Sequence, residues 1–352
     1  MKVVVVGAGY AGMYAANRLA KKVRTAGITV INPRPDFVER VRLHQQIAGT
    51  ADAATPLTSM LRAGITPRTA TVDKIGDGVV RLDDGTSLDF DYAFLAVGST
   101  ARPMPGTIPV GTWEGAEQAR VALAALPADS TVTVIGGGAT GIETAAEVAG
   151  ARPDLRVRIV GPSVAGDFSH RPHQRVRAGL ERLKVDIVDD GVTEVTDGTV
   201  RLRSGAAFAS DLTLWAIVSG VPDLAARSGL TVDAEGRALV DECLRSVDDE
   251  RIFAVGDCAA VPGARFACAL AAPQAAHAVN TLARLIAGRE PTPYAVRYVA
   301  RAVTLGRKNA VGQFTRPDDT LRRAYVTGRT AVVIKELASR GGKFGARTGT
   351  GA

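Results

Sequence analysis

The alternation of apolar and polar positions at the start of the chain predicts a strand, a helix and a second strand. Residues 3–6 are an unbroken run of valines, short enough for a buried parallel strand. Residues 13–22 carry apolar side chains at helical spacing and two lysines in the last turn, where positive charges stabilise the C-terminal end of a helix. Residues 28–31 are apolar again. The pattern therefore predicts a β-α-β unit with parallel strands.

The same order of elements occurs a second time along the chain. Residues 132–135 and 155–160 are apolar runs of strand length, and residues 142–149 between them predict a helix. In each half, short apolar runs separated by Gly- and Asp-containing turns predict a β-meander. The predicted runs of the first half are 71–75, 79–82 and 87–90, followed by a buried strand over 91–99, and the second half copies this order with 192–195, 200–202 and 211–217. The chain is therefore predicted to be an α/β protein with two related halves.

Both predicted β-α-β units contain three glycines with G-x-G-x-x-G spacing between strand and helix. The first glycine allows a tight turn, the second lets a pyrophosphate approach the backbone, and the third lets the helix pack closely on the sheet. The phosphates then meet free N–H groups at the helix N-terminus. One such motif alone is weak evidence, so its repetition carries the prediction that the chain binds two dinucleotides. The positions are Gly7, Gly9 and Gly12 in the first half and Gly136, Gly138 and Gly141 in the second.

The end of the second strand decides what meets the ribose of a bound dinucleotide. Dinucleotide folds usually place an acidic residue there, about 20 residues beyond the last glycine, to bind the 2′-hydroxyl. Asn32 occupies this place in the first half and can still accept a hydrogen bond, more weakly than a carboxylate. Residues 33–49 follow as a basic segment that either contacts phosphate or flavin or is a solvated connection. Its polar members include Arg34, Arg40, Arg42, His44 and Gln45, and Arg42 is taken as the cofactor-binding candidate.

The corresponding position in the second half is Gly161, which bears on whether a dinucleotide bound there can carry a 2′-phosphate. It provides no carboxylate to repel a 2′-phosphate, so NADPH can be accommodated. Three downstream basic residues, Arg171, His173 and Arg175, are candidate partners of that phosphate, although no arginine follows Gly161 directly. The sequence therefore leans towards NADPH and leaves NADH open.

Composition restricts the classes of function. The chain has 352 residues, 46% of them hydrophobic, which is enough for more than one core. Its formal net charge of +7 favours anionic ligands, but the basic residues are scattered and only 5% of residues are aromatic, so nucleic-acid binding is not expected. No targeting segment, membrane span or metal site is predicted. The cysteines, Cys243, Cys258 and Cys268, are few and unevenly spaced, which suits the cytoplasm.

Together these motifs resemble the flavoproteins with two dinucleotide-binding domains, the pyridine nucleotide-disulfide oxidoreductase class, and are most similar to its type II NADH dehydrogenase-like branch. The similarity covers about residues 1–310. It rests on the two glycine motifs, on the Ala-Val-Gly sequence that ends at Gly98, on Glu143 and on the Gly256-Asp257 pair. The resemblance implies that the first motif binds FAD and the second the nicotinamide cofactor. It also implies that Gly256 returns the chain to the FAD domain, that Asp257 binds the ribityl chain, and that Glu143 orients the nicotinamide.

The resemblance further implies a discontinuous architecture of two Rossmann-like domains. Residues 1–104 together with 238–290 are expected to bind FAD. Residues 105–237, inserted between them, are expected to bind NAD(P)H. Residues 291–352 are expected to form a small C-terminal interface region with a basic tail.

The cysteines and the segment 267–280 bear on the electron acceptor. Disulfide reductases of this class carry a paired-cysteine motif, because a dithiol receives two electrons before passing them on. The chain has no C-x-x-C or C-x-x-x-x-C, so thiol reduction is disfavoured. In quinone-reducing relatives two glutamines of this segment line the quinone pocket, whereas their places fall here on Cys268 and Ala272. Gln274 and His277 are the strong hydrogen-bonding residues nearby, and each is either a catalytic contact to substrate or flavin or a packing residue.

The C-terminal tail is expected to make at most a weak contact with a membrane surface. The resemblance implies amphipathic terminal helices in type II dehydrogenases, whereas this tail contains Gly341, Gly342, Gly345 and Gly349. Glycine disfavours a helix interior by about 1 kcal/mol relative to alanine. No long helix is therefore predicted here. The sequence leaves open whether the protein forms a homodimer.

The sequence thus predicts a cytoplasmic, FAD-dependent NAD(P)H oxidoreductase. A hydride would pass from the nicotinamide to the flavin and on to a quinone, oxygen or a small conjugated acceptor, without a redox-active disulfide. Two alternatives stay open: an enzyme that modifies a specific organic metabolite, and a redox-sensing flavoprotein whose basic surface suits an acidic partner such as an electron carrier. Fast multiple turnover with a small acceptor would favour the enzymes over the sensor.

Overall fold

Strands and helices alternate in two consecutive halves of the computed structural model, which describes residues 1–351. The first half contains β1 (Lys2–Val6), α1 (Tyr10–Lys22), β2 (Gly27–Asn32), β3 (Asp36–Val38), α2 (Leu43–Ala48), β4 (Ala54–Pro56), α3 (Leu57–Met60), β5 (Ile65–Thr69), β6 (Val72–Gly76), β7 (Val79–Leu82), β8 (Ser87–Asp89) and β9 (Tyr92–Leu95). The second half contains β10 (Ile108–Pro109), α4 (Trp113–Ala125), β11 (Thr131–Ile135), α5 (Ala139–Ala151), β12 (Arg156–Gly161), α6 (His170–Arg182), β13 (Asp186–Asp189), β14 (Val192–Thr196), β15 (Thr199–Leu202), β16 (Ala207–Ala209) and β17 (Leu212–Trp215). The remainder contains α7 (Leu224–Arg227), β18 (Ala238–Leu239), β19 (Ile252–Ala254), β20 (Ala259–Ala260), α8 (Ala271–Ile286), β21 (Ala300–Thr304), β22 (Ala310–Thr315), β23 (Leu321–Thr327) and α9 (Gly328–Thr348).

The first sheet has the strand order β19-β9-β1-β2-β5, and all of its strands run parallel. β1 lies at the centre, and its four valines are buried, as is typical of a parallel sheet covered by helices on both faces. Val3 pairs with Ile28 of β2 and with Tyr92 of β9. β19 comes from far along the chain, so this sheet is built from two separate stretches of sequence.

The second sheet repeats this arrangement with the order β10-β17-β11-β12-β13, again with parallel strands. A three-stranded antiparallel meander accompanies each sheet, β6-β7-β8 in the first half and β14-β15-β16 in the second. Each half has its own buried core. The predicted α/β fold with two Rossmann-like units, each with an inserted β-meander, is confirmed.

Helices α1 and α5 begin directly after the glycine motifs. They start at Tyr10 and Ala139, three residues earlier than the apolar pattern predicts in each half. The first three residues of each helix, Tyr-Ala-Gly and Ala-Thr-Gly, carry no helical apolar spacing, although their backbone is already helical. The N-termini of both helices therefore point at the two glycine loops.

The C-terminal region forms the antiparallel sheet β21-β22-β23, followed by the 21-residue helix α9. The prediction that its glycines preclude a long helix is wrong. A methyl group at Gly342 would lie 3.5 Å from Tyr10 Cε1, and one at Gly345 would lie 3.4 Å from Tyr14 Cε2. These glycines let α9 approach α1 closely, and the resulting packing outweighs their low helix propensity.

The outer face of α9 is apolar in part. Large hydrophobic side chains are exposed on it at Val333, Ile334, Leu337 and Phe344. Among residues 1–351, no helix combines the length and the apolar character needed to cross a bilayer.

Candidate active site

The first glycine motif forms an open cradle at the N-terminus of α1. Gly7 turns out of β1 with a φ of +98°, and a methyl group there would lie 2.5 Å from Ala96 O. A methyl group at Gly12 would collide with Gly7 O, so this glycine lets the helix pack on the loop. At Gly9, by contrast, no described atom lies within 4 Å of the place a methyl group would take. The space beside Gly9 fits a pyrophosphate against the N–H groups of the first helical turn.

The second glycine motif has the same geometry at the N-terminus of α5. Gly136 has a φ of +131°, and a methyl group at Gly141 would collide with Gly136 O. Beside Gly138, one atom of the described residues comes within 4.0 Å of a methyl position, Asp167 Oδ2. The six glycines predicted from the sequence thus form two cradles of the same shape.

Asp257 lies beside the first cradle. A methyl group at the preceding Gly256 would lie 3.3 Å from Ala11 Cβ, in the first turn of α1. Asp257 Oδ2 accepts a hydrogen bond from Ser99 Oγ at 2.7 Å, and Oδ1 accepts one from Ala267 N at 3.1 Å. These bonds fix the carboxylate at the carboxyl ends of β9 and β19. Ligands of proteins with open parallel sheets bind at this end of the strands.

Arg40 joins this group, although the sequence does not distinguish it from its basic neighbours. Its guanidinium donates to Ser99 O at 2.9 Å, to Ser99 Oγ at 3.1 Å and to Gly111 O at 3.0 Å. A methyl group at Gly98 would lie 3.6 Å from Arg40 Nη1. Arg40 therefore ties the end of β9 to the start of the second half and places a positive charge near the first cradle.

Arg42, the candidate chosen from the sequence, is bound by protein side chains. Its guanidinium donates to Glu39 Oε2 at 3.3 Å, to Gln45 Oε1 at 3.2 Å and to Glu336 Oε1 of α9 at 2.9 Å. Of the two arginines, Arg40 reaches the Asp257 cluster and Arg42 holds α9.

Asn32 is also held by the protein, at the end of β2. Its Oδ1 accepts a hydrogen bond from Ala8 N at 3.1 Å, and its Nδ2 donates to Arg34 O at 2.7 Å. The buried side chain therefore orients the first glycine loop.

Gln274 and His277 occupy different surroundings from Glu143. Gln274 is buried, and its Oε1 accepts a hydrogen bond from Gly256 N at 2.6 Å. His277 packs on Tyr294 with ring centroids 5.2 Å apart, and burial lowers its pKa. No hydrogen bond or ion pair among residues 1–351 connects either side chain to Glu143. The hydrogen bond that Gln274 accepts from Gly256 N gives this side chain a role in positioning the Gly256 turn.

Glu143 lies at the start of α5 in a buried polar cluster. Its Oε1 accepts hydrogen bonds from Thr304 N at 2.8 Å and Thr304 Oγ1 at 2.9 Å, and pairs with Lys335 Nζ of α9. Lys335 also donates to Ala302 O at 3.3 Å. No hydrogen bond from the described residues reaches Glu143 Oε2, so that oxygen can accept one from a ligand.

Burial and neighbouring charges act on the titratable groups of this cluster. Burial, together with the Arg42 guanidinium, lowers the pKa of Lys335. The Glu143 carboxylate opposes this shift, because it stabilises the ammonium. Burial and the charges of Lys335, Arg307 and Arg42 lower the pKa of His44 to about 3, so this imidazole is neutral in the folded protein. The cluster thus holds a buried lysine paired with a carboxylate.

Helix α9 connects the two cradles. Lys335 pairs with Glu143 near the second cradle, and Lys343 pairs with Glu39 at 2.8 Å near the first. Tyr10, which follows the middle glycine of the first motif, donates to the other oxygen of Glu39 at 3.4 Å. The two lysines are eight positions apart, which corresponds to about 12 Å along the helix axis. Neither lysine is predicted from the sequence, where both belong to the basic tail.

The cysteines form no disulfide within the described residues. Cys243 and Cys258 are buried, and burial raises the pKa of the Cys258 thiol to about 11. Cys268 is exposed. A buried thiol with a raised pKa is a poor nucleophile, which disfavours Cys243 and Cys258 as members of a thiol relay.

Comparison with known proteins assigns the chain to a family. The family described as pyridine nucleotide-disulphide oxidoreductase matches residues 1–281. The chain belongs to this family. An NADH dehydrogenase-like protein of Mycobacterium tuberculosis is 33% identical over 294 residues, which cover 74% of this chain and 73% of that protein. Rhodocoxin reductase of Rhodococcus erythropolis is 29% identical over 300 residues, which cover 74% and 66%.

Solved structures share the fold over nearly the whole chain. Sulfide:quinone oxidoreductase from Aquifex aeolicus superposes with a TM-score of 0.81 at 19% identity, covering 99% of this chain and 92% of that one. NDH2 from Plasmodium falciparum in complex with NADH gives a TM-score of 0.81 at 16% identity, covering 98% and 97%. The predicted membership of the NADH dehydrogenase-like branch is confirmed, and the chain is an NAD(P)H oxidoreductase.

Proposed function

We propose that this oxidoreductase uses FAD to carry electrons from NAD(P)H to a quinone or another small conjugated acceptor, without a redox-active disulfide. The observation that carries the proposal is the buried Glu143–Lys335 pair, which α9 links to the first cradle. An acid-base pair serves an acceptor that takes up protons, whereas the described residues offer no thiol pair to serve a disulfide.

The residues of the first cradle fit FAD. The open space beside Gly9 would hold the pyrophosphate, Asp257 would accept hydrogen bonds from the ribityl hydroxyls, and Arg40 would add positive charge nearby. Bound there, FAD would accept a hydride from a nicotinamide and pass on its electrons. The cradle beside Gly138 would hold the pyrophosphate of NAD(P)H.

Glu143 would orient the nicotinamide. Thr304 and Lys335 hold its Oε1, so the carboxylate is already positioned before the cofactor arrives. Its Oε2 would accept a hydrogen bond from the carboxamide N–H. Holding the reacting groups in one geometry contributes several kcal/mol to catalysis, on the order of 7–11 kcal/mol in the best cases.

Lys335 would supply a proton to the acceptor. Reduction of a quinone to a hydroquinone takes up two electrons and two protons, whereas the hydride of NAD(P)H brings two electrons and one proton. The second proton comes from water, and a buried lysine whose pKa is lowered can pass it on and be protonated again.

The test replaces Lys335 by methionine and compares two acceptors. With NADH and a soluble quinone, turnover of Lys335→Met should fall by about 100-fold, the lower end of what acid-base catalysis contributes. With ferricyanide, which accepts electrons without protons, turnover should be almost unchanged. Arg340→Met, which removes a cation that is 74% exposed on the same helix, is the control. Equal losses with both acceptors would overturn the role of Lys335, and flavin that neither NADH nor NADPH reduces would overturn the proposed function.

A protein acceptor is the second candidate. Rhodocoxin reductase and rubredoxin-NAD(+) reductase of Pseudomonas putida, the latter 26% identical over 295 residues, are named for such acceptors. The net charge of +7 would attract an acidic protein. Because salt screens such attraction, reduction of a protein acceptor should slow steeply with ionic strength, whereas reduction of an uncharged quinone should not.

A further inference from the structure

A carboxylate from an unexpected position faces the second cradle. Asp167 belongs to the loop between β12 and α6, and its Oδ2 lies 4.0 Å from the place that a methyl group on Gly138 would occupy. At Gly9, the equivalent glycine of the first loop, no described atom comes within that distance. The second cradle therefore has an acidic side chain at its mouth, and the first does not.

The strand end, where an acidic residue is expected, has no room for one. A side-chain carbon on Gly161 would lie 2.6 Å from Gly137 N and 3.0 Å from Gly137 Cα. In the first half, Asn32 fits at the end of β2 and accepts a hydrogen bond from Ala8 N. Gly161 is thus required by the close approach of β12 to the glycine loop. The absence of a carboxylate there is consequently not an indication of NADPH.

The loop that carries Asp167 is fastened to the glycine loop itself. Ala165 has a φ of +65°, in the left-handed region that disfavours a residue with a side chain. Its N–H donates to Gly137 O at 2.9 Å, and Val164 N donates to Asp189 Oδ1 at 2.9 Å. Val164 and Ala165 are both buried. These contacts maintain the strained backbone and hold the carboxylate in place relative to the cradle.

Asp167 keeps its charge available to a ligand. Its side chain is 66% exposed, and Arg301 Nη1 lies 3.7 Å from its Oδ1. Arg301 is bound more closely to Asp319, at 2.6 Å. No hydrogen bond from the described residues reaches Asp167 Oδ2, the oxygen beside the cradle. A carboxylate in this state accepts hydrogen bonds from the hydroxyls of a ribose and repels a 2′-phosphate, which carries about two negative charges.

We propose that Asp167 makes this enzyme select NADH over NADPH, by binding the adenosine ribose hydroxyls and repelling the 2′-phosphate. The proposal rests on the proposed function, in which the second cradle binds the nicotinamide cofactor. It reverses the preference suggested by Gly161. Arg171, His173 and Arg175 lie on α6, and none of their atoms comes within 4 Å of the methyl position at Gly138.

The test uses ADP-ribose and 2′-phospho-ADP-ribose, which carry the distinguishing part of each cofactor without the nicotinamide. Their binding to the FAD-loaded protein is measured by isothermal titration calorimetry for the wild type, Asp167→Asn and Asp186→Asn. Asp186 lies at the amino end of β13, at the end of the strands away from the glycine loop, where it pairs with Arg158, and its replacement changes the net charge equally. Wild type should prefer ADP-ribose by about tenfold or more, and Asp167→Asn should reduce that ratio by about tenfold, as expected for one charged hydrogen bond. Asp186→Asn should leave the ratio unchanged.

The outcomes separate the two proposals. If Asp167→Asn leaves the ratio unchanged, or if both compounds gain affinity by the same factor because the carboxylate only repels the pyrophosphate, the assignment of Asp167 is wrong and the proposed function stands. If the wild type binds neither compound, the second cradle is not a nicotinamide-cofactor site, and the proposed function fails with it.

Discussion

Replacing Lys335 by methionine should destabilise the protein in a manner that depends on pH. The substitution keeps an unbranched side chain and removes the positive charge paired with Glu143. Glu143 is 8% exposed and retains both hydrogen bonds from Thr304. Removing one partner of a buried pair leaves the other charge uncompensated, which typically costs about 3–5 kcal/mol of unfolding free energy.

The loss of unfolding free energy cannot much exceed the cost of protonating Glu143, because a protonated carboxyl group leaves no uncompensated charge. A carboxyl group with an ordinary pKa of about 4.3 is protonated at a cost of about 3.7 kcal/mol at pH 7 and about 1 kcal/mol at pH 5, since one pKa unit is worth about 1.4 kcal/mol. The unfolding free energy should therefore fall by about 3–4 kcal/mol at pH 7 and by only about 1 kcal/mol at pH 5. The double variant Lys335→Met, Glu143→Gln buries no charge and should recover most of the loss.

Urea unfolding at both pH values, followed by circular dichroism and by the fluorescence of Trp113 and Trp215, measures these differences. Arg340→Met on the same helix serves as the control and should stay within about 0.5 kcal/mol of the wild type. Equal losses at pH 5 and pH 7 would refute the reasoning. So would a double variant that is no more stable than the single one.

Two further predictions concern the first cradle and the buried histidine. Gly9→Ala places a methyl group where the pyrophosphate would lie without touching the protein, so the variant should fold normally and be purified with little flavin absorbance. His44→Gln should flatten the pH dependence of stability in acid. Because the pKa of His44 is lowered to about 3, only the unfolded state gains its proton below about pH 6.5, so wild type should lose up to about 1.4 kcal/mol per pH unit through this residue between pH 6 and pH 4.

Each of these variants has a matched control. Gly150 on α5 also has open space around it, and Gly150→Ala should keep its flavin. His170 is exposed, and His170→Gln should keep the acid sensitivity of the wild type. Full flavin content in Gly9→Ala would show that the first motif is not the flavin cradle, and an unchanged pH profile in His44→Gln would show that this imidazole is accessible to protons.

Much of the fold follows from the sequence because each glycine motif permits one local structure. Gly7 is constrained by its positive φ and Gly12 by its contact with the Gly7 carbonyl, and this turn requires a strand on one side and a helix on the other. The buried runs around them then pair as parallel strands. Local patterns of this kind are visible in a single stretch of sequence.

The charge cluster could not be predicted, because its members are distant in sequence. Lys335 and Glu143 are 192 residues apart, and neither residue alone indicates the other. Helix α9 is missed for a related reason: Gly342 and Gly345 lower its intrinsic propensity, and only their packing on Tyr10 and Tyr14 explains them. The recurrence of small residues at helical spacing is the sequence signal that could have indicated this close helix packing.

Gly161 shows a different limit of sequence reasoning. The rule about an acidic residue at the strand end assumes that a side chain fits there, and the approach of Gly137 removes that room. The loop then supplies its carboxylate six positions later, at Asp167. That Asp167 takes the place of an acidic residue at position 161 can be recognised only from the folded structure of the loop.

The central claim is that this chain holds FAD in the first cradle and receives a hydride from a nicotinamide cofactor in the second. The most direct test is an anaerobic absorbance titration of the purified protein with NADH and, separately, NADPH, followed by a soluble quinone. We expect the flavin bands to bleach more readily with NADH than with NADPH and to return rapidly on addition of the quinone. A protein that binds no flavin, or flavin that neither cofactor reduces, would contradict the claim.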